Sequence, residues 1–289
     1  MILGKIAGVK VRVNWLFLLL CAVYTYLGMG LEILIIFASV LLHELSHTIM
    51  AAVMKVKVAE IELLPFGGQA KMNDFTGLDP DREIYIALAG PVVSLSLAAF
   101  FHFLPPPFPM KTALLIQINF FLGVFNFLPA LPLDGGRILR AILSLYIGYK
   151  KATAVSAGLG KAIAVAIVLY GIYLFYMQQS GANYVLAGII LFLAARREGL
   201  MLSYAFMRYL VNKKSELAGK GFMTSRQVVG LEESLIKDIL ESTRPGYYTI
   251  VLVLDRQHRP RGMIGEAELI ECLFEKGPLV RLKDCQNGG

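Results

Sequence analysis

Residues 43 to 47 read His-Glu-Leu-Ser-His, inside the longer stretch LLHELSHTIM. On a helix, positions i and i+4 project from one face. The imidazoles of His43 and His47 can therefore share one Zn²⁺, with Glu44 beside the metal to act on a bound water. Zinc lowers the pKa of such a water from 15.7 to about 7, and the carboxylate can take the proton as hydroxide attacks a carbonyl. Two histidines leave a catalytic zinc one protein ligand short, so a third must come from elsewhere in the chain.

The motif lies in an apolar run. An ionisable residue at the centre of a membrane-spanning helix costs at least roughly 2.5–3.5 kcal/mol on insertion scales, so several within one turn need a compensating partner. A metal is such a partner. The bland alternative is a cluster of polar groups hydrogen-bonded to one another inside a helix bundle. Of the other histidines, His102 falls near the opposite face of its span and His258 in the polar tail. Asp134 in NFLPALPLDGGRILRAIL closes an apolar segment at its cytoplasmic end. The Gly135-Gly136 pair after it lets the backbone turn and approach closely, while Pro129 and Pro132 interrupt the helix before it and free carbonyls to line a cavity. On spacing alone, LDGGR also reads as a helix stop followed by a cytoplasmic turn.

The elements that must position these residues follow from composition. Of 289 residues, 56% are hydrophobic and 17% charged, with mean hydropathy +0.62, which excludes an ordinary soluble globule and makes a membrane protein the default. Six stretches approach the roughly 20 apolar residues of a spanning helix: about 13–30, 33–54, 84–104, 113–133, 152–176 and 183–195. The first follows Lys5, Lys10 and Arg12 like a secretory signal, but another apolar run succeeds it, so it reads as a retained span. The net charge of +7 does not form one nucleic-acid-binding patch. Its basic residues recur in alternate loops (the N-terminus, 55–83, 134–151 and the segment opening with Arg196 and Arg197), which predicts both termini in the cytoplasm. Three cysteines without CxxC spacing predict no disulfide framework and a reducing compartment for the tail.

The loop VAEIELLPFGGQAKM, with Gly67-Gly68, is consistent with a hairpin dipping back toward the membrane on the metal's side. A helical substrate must unwind before hydrolysis, and an exposed strand edge could hold it by β-addition. Asn126 could fix the extended backbone and Pro132 shape the cavity. An amphipathic surface loop and an interhelical hydrogen bond explain the same residues equally well. After Arg196 the patterning turns soluble: LEESLIKDIL and EAELIECLF read as amphipathic helices, YYTIVLVLD as a strand and RQHRPRG as a turn. The expected fold class is an all-α polytopic membrane protein of about six transmembrane helices with a membrane-associated β-hairpin, plus a small cytoplasmic α/β domain. Residues 1–197 form the membrane domain, 198–221 a linker helix and 222–289 the C-terminal domain.

HELSH in one span and NFLPALPLDGG in another resemble the site-2 protease family of intramembrane zinc metalloproteases, across roughly residues 33–140. LLPFGGQAKM (63–72) and AGP (89–91) also look like family segments, with Ser94 where many members carry Asn. The resemblance implies His43, His47 and Asp134 as ligands of one Zn²⁺ and Glu44 as general base. The layout looks most like the sporulation subgroup, the stage IV sporulation protein FB type. That implies a membrane-associated pro-sigma-factor substrate, pro-sigma-K, and inhibitory membrane partner proteins. Residues 222–274 resemble a single cystathionine-β-synthase (CBS) domain, which implies ATP or another adenosine nucleotide as ligand. CBS domains usually act as pairs, so pairing here would need a second chain, as in a homo-oligomer. Glu268 stands where a ribose-binding Asp is common. The first reading is thus an intramembrane zinc endopeptidase. The runner-up is a membrane metal-ion transporter with a cytoplasmic regulatory domain, and a scaffold with a purely structural zinc is a third.

Overall fold

Apolar segments that cannot give their backbone polar groups to water close those bonds internally, and here they do so as helices. The computed structural model describes all residues except 1, 7–8, 14, 57–59, 65–66, 72–78, 104–108, 201–205, 207–208, 212–220 and 286–289. The contacts divide the chain into one unit of residues 1–75, 81–139 and 156–196 and another of 76–80, 140–155 and 197–289.

The helices in chain order are α1 (Trp15–Tyr26), α2 (Gly30–Val53), α3 (Pro80–Phe103), α4 (Pro109–Asn126), α5 (Asp134–Ile147), α6 (Tyr149–Tyr176) and α7 (Ala182–Leu200). Among the described residues, α2, α3 and α6 are long and apolar enough to cross a membrane, while residues Lys111–Asn126 of α4 form a shorter apolar helix. The apolar stretch 113–133 is helical only to Asn126, in line with the interruption expected from Pro129 and Pro132. Residues 127–133, with Pro129 and a cis Leu131–Pro132 bond, carry no helix before α5 begins at Asp134. Proline supplies no amide hydrogen and restricts the residue before it, so two of them within four positions end α4. The segment 134–151, expected as a cytoplasmic connection, is for most of its length α5.

In the first unit α2 packs against α1 and α4. The ion pair of Lys111 with Glu32 ties α4 to the first turn of α2. The N-terminal residues, expected only as a basic flank, form β1 (Ile2–Ile6) and β2 (Val9–Val13). The glycine-containing loop forms the hairpin β3 (Glu60–Leu64) and β4 (Gly67–Lys71). The four make one sheet in the order β1-β2-β3-β4, antiparallel except for the parallel pair β2 and β3. β4 lies at the edge and packs against α2. Gly68 stands opposite Leu63 and Gly67 opposite Leu64.

The second unit holds a three-stranded sheet in the order β5 (Thr224–Leu231), β6 (Tyr247–Leu254), β7 (Pro260–Gly265). β5 and β6 are parallel, so a crossover must join them, and α8 (Ile236–Glu241) lies in it. On β6, Thr249, Val251 and Val253 are buried on one face, the period-2 pattern of a half-covered strand. Val251 and Val253 join a core with Ile236 and Leu240 of α8, Leu269 of α9 (Glu266–Lys276) and Leu282 of α10 (Leu282–Cys285). Tyr149, at the start of α6, belongs to this core and stacks on Tyr209 with ring centroids 5.0 Å apart. Lys150 pairs with Glu241 of α8.

Most of the linker expected over 198–221 lies outside the described residues. The helix expected over 231–240 is shorter, because residue 231 ends β5 and the turn after it delays α8 to Ile236. The expectation of no disulfide fails. The chain turns after Gly277 and brings α10 back onto α9, so Cys272 and Cys285 are bonded with their Cα atoms 6.0 Å apart. Thirteen residues of separation give no sign of that return in the sequence.

Candidate metal centre

Every fourth residue of α2 faces inward over its second half: Ser39, His43, His47 and Ala51 are buried. That stripe is the 3.6-residue period expressed mainly in polar side chains. His43 is 3% exposed and His47 4%, and their rings meet edge to face with centroids 4.9 Å apart.

Asp134 reaches them from the first position of α5. Its Oδ2 lies 3.2 Å from His43 Nε2 and 3.1 Å from His47 Nε2. The helix N-terminus suits a carboxylate, because the free amides and the macrodipole there favour negative charge. Gly135 and Gly136 make the placement sterically feasible. A Cβ on Gly135 would come within 2.5 Å of Leu128 O, and one on Gly136 would overlap the backbone at Ala130 and Leu131. The close approach expected of this pair is therefore observed. Behind the 127–133 segment stands α6: Leu131 N donates to Ser156 O at 3.2 Å, and a Cβ at Gly160 would collide with Leu131 O.

The outer nitrogens of both imidazoles are held by α3. His47 Nδ1 donates to Ile86 O at 2.7 Å, and His43 Nδ1 lies 3.0 Å from Ser94 Oγ. A carbonyl oxygen only accepts, so Nδ1 of His47 carries the hydrogen and a neutral ring presents a bare Nε2 lone pair toward Asp134. Holding Nδ1 in this way is what orients a metal-binding histidine.

The donor set fits zinc. Two imidazole nitrogens and one carboxylate oxygen, all buried, lie within 4.8 Å of one another. Zinc bonds of about 2.0–2.1 Å in a tetrahedron put neighbouring ligand atoms about 3.3 Å apart, close to the observed nitrogen–oxygen separations. Three protein ligands leave a fourth position open, as in catalytic rather than structural zinc sites.

Glu44 follows His43 and is partly buried. It is in electrostatic reach of His47, His43, Asp134 and Arg137. Asn126 is turned onto its own helix, with Nδ2 donating to Leu122 O at 2.9 Å, and Pro132 is half-buried in the 127–133 segment. Gly67 and Gly68 lie in the edge strand β4. Three residues have roles at the site that the sequence does not reveal. Asn119 of α4 is 1% exposed and its Nδ2 donates to Ser39 Oγ at 2.9 Å. Ser94 supports His43, and Gly90 lies against both rings. Ser94 had been noticed only as a departure from an expected Asn. The i, i+4, i+8 spacing of Ile86, Gly90 and Ser94 was the available signal.

The sequence profile described as Peptidase family M50 matches residues 31–105 and 108–171, which include all three candidate ligands. A solved site-2 protease from Methanocaldococcus jannaschii superimposes with a TM-score of 0.54 at 32% identity, covering 69% of this chain and 94% of that one. The chain belongs to this family, the site-2 proteases. A curated zinc metalloprotease of M. jannaschii is 37% identical over 184 residues, 59% of this chain and 53% of its own length. Stage IV sporulation protein FB of Bacillus subtilis is less similar, 27% identical over 50% of this chain and 51% of its own. The chain spans about half the length of these curated relatives.

Proposed function

We propose that the protein is an intramembrane zinc metalloprotease, with His43, His47 and Asp134 as metal ligands and Glu44 as general base. The observation that carries this reading is the convergence of two imidazoles and one carboxylate inside a helix bundle, with a fourth, carboxylate-bearing residue beside them. When bound, zinc would polarise the scissile carbonyl and acidify water. The Glu44 carboxylate takes a proton from the attacking water and returns it to the leaving amine. Asp134 and the two Nδ1 hydrogen bonds keep the imidazoles aimed while this happens. The substrate segment enters in extended form, because a helix shields its carbonyls. The edge strand β4, with Gly67 and Gly68, would receive it by β-addition, with Asn126 fixing the extended backbone and Pro132 shaping the cavity.

Six spans with both termini in the cytoplasm remain part of the proposal, α1, α4 and α7 completing the set begun by α2, α3 and α6. A sporulation-type pro-sigma-factor as substrate, held back by inhibitory membrane partners, is the finer reading, and it rests on the sequence motifs and a 27% identity. For the α/β unit we keep the CBS-like reading, with docking or pairing of copies as its role. An adenosine nucleotide is the ligand that resemblance implies, and titration with ATP tests it. Family membership does not favour the metal-transporter alternative.

The deciding experiment pairs wild type with Glu44→Gln in detergent, recording zinc content and cleavage of a membrane-tethered substrate. The variant is expected to keep one zinc per chain and lose at least about 100-fold in cleavage, at the lower end for a general base. Loss of zinc, or retained cleavage, refutes the assignment of Glu44.

A further inference from the structure

Helix α3 supplies no metal ligand, yet three of its residues on one face address the histidine pair. Ile86 O accepts from His47 Nδ1, and four residues on Gly90 lies against both rings. Four further on, Ser94 Oγ is 3.0 Å from His43 Nδ1. The first and third hold the outer nitrogens. The second bears on the inner ones.

A Cβ built on Gly90 would stand 2.7 Å from His43 Nε2 and 2.5 Å from His47 Cε1, and closer still to His47 Nε2. Non-bonded carbon contacts are most favourable at about 3.5–4.0 Å, so no side chain fits there without displacing an imidazole. The displaced atoms would be the two lone-pair nitrogens, which a zinc ion must approach to about 2.0–2.1 Å. A methyl group at position 90 would thus fill the space in front of both nitrogens.

We propose that Gly90 is a positioning residue that reserves the metal's volume, so that α3 acts as a gauge for the His43–His47 pair. This rests on the metalloprotease reading above for the identity of the metal, but not for the steric relation. Alanine is the better helix former, but Pro91 follows and its ring disfavours helical backbone at a residue bearing a Cβ, so the effect of Gly90→Ala has to be compared between backgrounds with and without His47. A site reserved for a metal predicts a larger penalty wherever His47 is present.

The test is a double-mutant cycle on the full chain in detergent: wild type, Gly90→Ala, His47→Ala and the double variant. Melting temperature is measured with and without chelator, together with zinc content and the visible absorption of the cobalt-substituted protein. Gly90→Ala is expected to hold less than a tenth of wild-type zinc and to lose the intense tetrahedral cobalt band. It should also melt lower than chelated wild type, whereas in the His47→Ala background, where the approach to His43 Nε2 is the contact that remains, the loss is clearly smaller. Gly90→Ala failing to fold while the double variant folds supports the same conclusion. Normal zinc content in Gly90→Ala overturns the proposal. So does an equal penalty, or equal unfolding, in both backgrounds, which would make Gly90 a helix-packing residue. If wild type itself binds no zinc, the metalloprotease reading falls, while the chelated arms of the cycle still report on the clash.

Discussion

At the scale of single residues, the site depends as much on what holds the ligands as on the ligands. Ser94 Oγ is the partner of His43 Nδ1, and truncating such a support typically costs 10–100-fold in metal affinity. Ser94→Ala is therefore expected to weaken zinc binding by about that factor while leaving the fold intact, as read by competition with a chelator of known affinity. Unchanged affinity would mean that packing alone orients His43. The residues that join at the centre were legible in the sequence because their chemistry is rare in lipid: two histidines, a glutamate and one aspartate flanked by Pro and Gly. The roles of Ser94, Gly90 and Asn119 were not legible. A serine, a glycine and an asparagine are ordinary in membrane helices, and their meaning comes from neighbours 51, 43 and 80 positions away in the chain.

At the scale of elements, the 127–133 segment is the part of the site with the least regular structure, and α6 braces it. Gly160 is pressed against Leu131 O, whereas Gly158, half a turn away, has open space where a Cβ would go. Gly160→Ala should displace the segment that delivers Asp134. The expected result is a loss of about 1–3 kcal/mol of stability, the usual range for overpacking, together with reduced zinc content. Gly158→Ala should be neutral or slightly stabilising, since alanine is the better helix former. Equal melting temperatures for the two variants would remove α6 from this role. The proline break was readable because proline acts locally. Helix α5 was missed because Gly135 and Gly136 signal a turn in isolation, and only the backbone they pack against makes them the opening of a helix. β1 and β2 were missed for a related reason: strands five residues long acquire their identity from partners, and the partner of β2 is the distant β3.

At the scale of the whole molecule, the second unit has its own electrostatic dependence. Glu233 receives Arg256, Arg281 and Lys283, and the hydrogen bonds from Arg281 and Lys283 lower its pKa below the ordinary glutamate value. A carboxylate depressed in the folded state stabilises that state above its unfolded pKa. The contribution is lost as pH falls from near 4.5 through the lower folded value. Hydrogen exchange in peptides covering 224–285 should accelerate over that interval in wild type and change less in Glu233→Gln. The effect will be small and salt-sensitive, as for any exposed ion pair. The three strands and two main helices of this unit were only partly readable, because the parallel pairing of β5 to β6 joins segments some twenty residues apart.

His47 lies six residues before the end of α2, which at 1.5 Å per residue is about 9 Å along the helix axis. An unwound peptide covers that distance in about three residues at 3.3 Å each. A folded domain cannot narrow to a single strand over so short a reach, and an intact helix offers no strand at all. On the proposed protease reading, the centre would screen its clients by how cheaply three or four of their residues come undone at the membrane boundary. Substitutions that tighten or loosen a client's helix there should govern its turnover more than the identity of the residues flanking the severed bond.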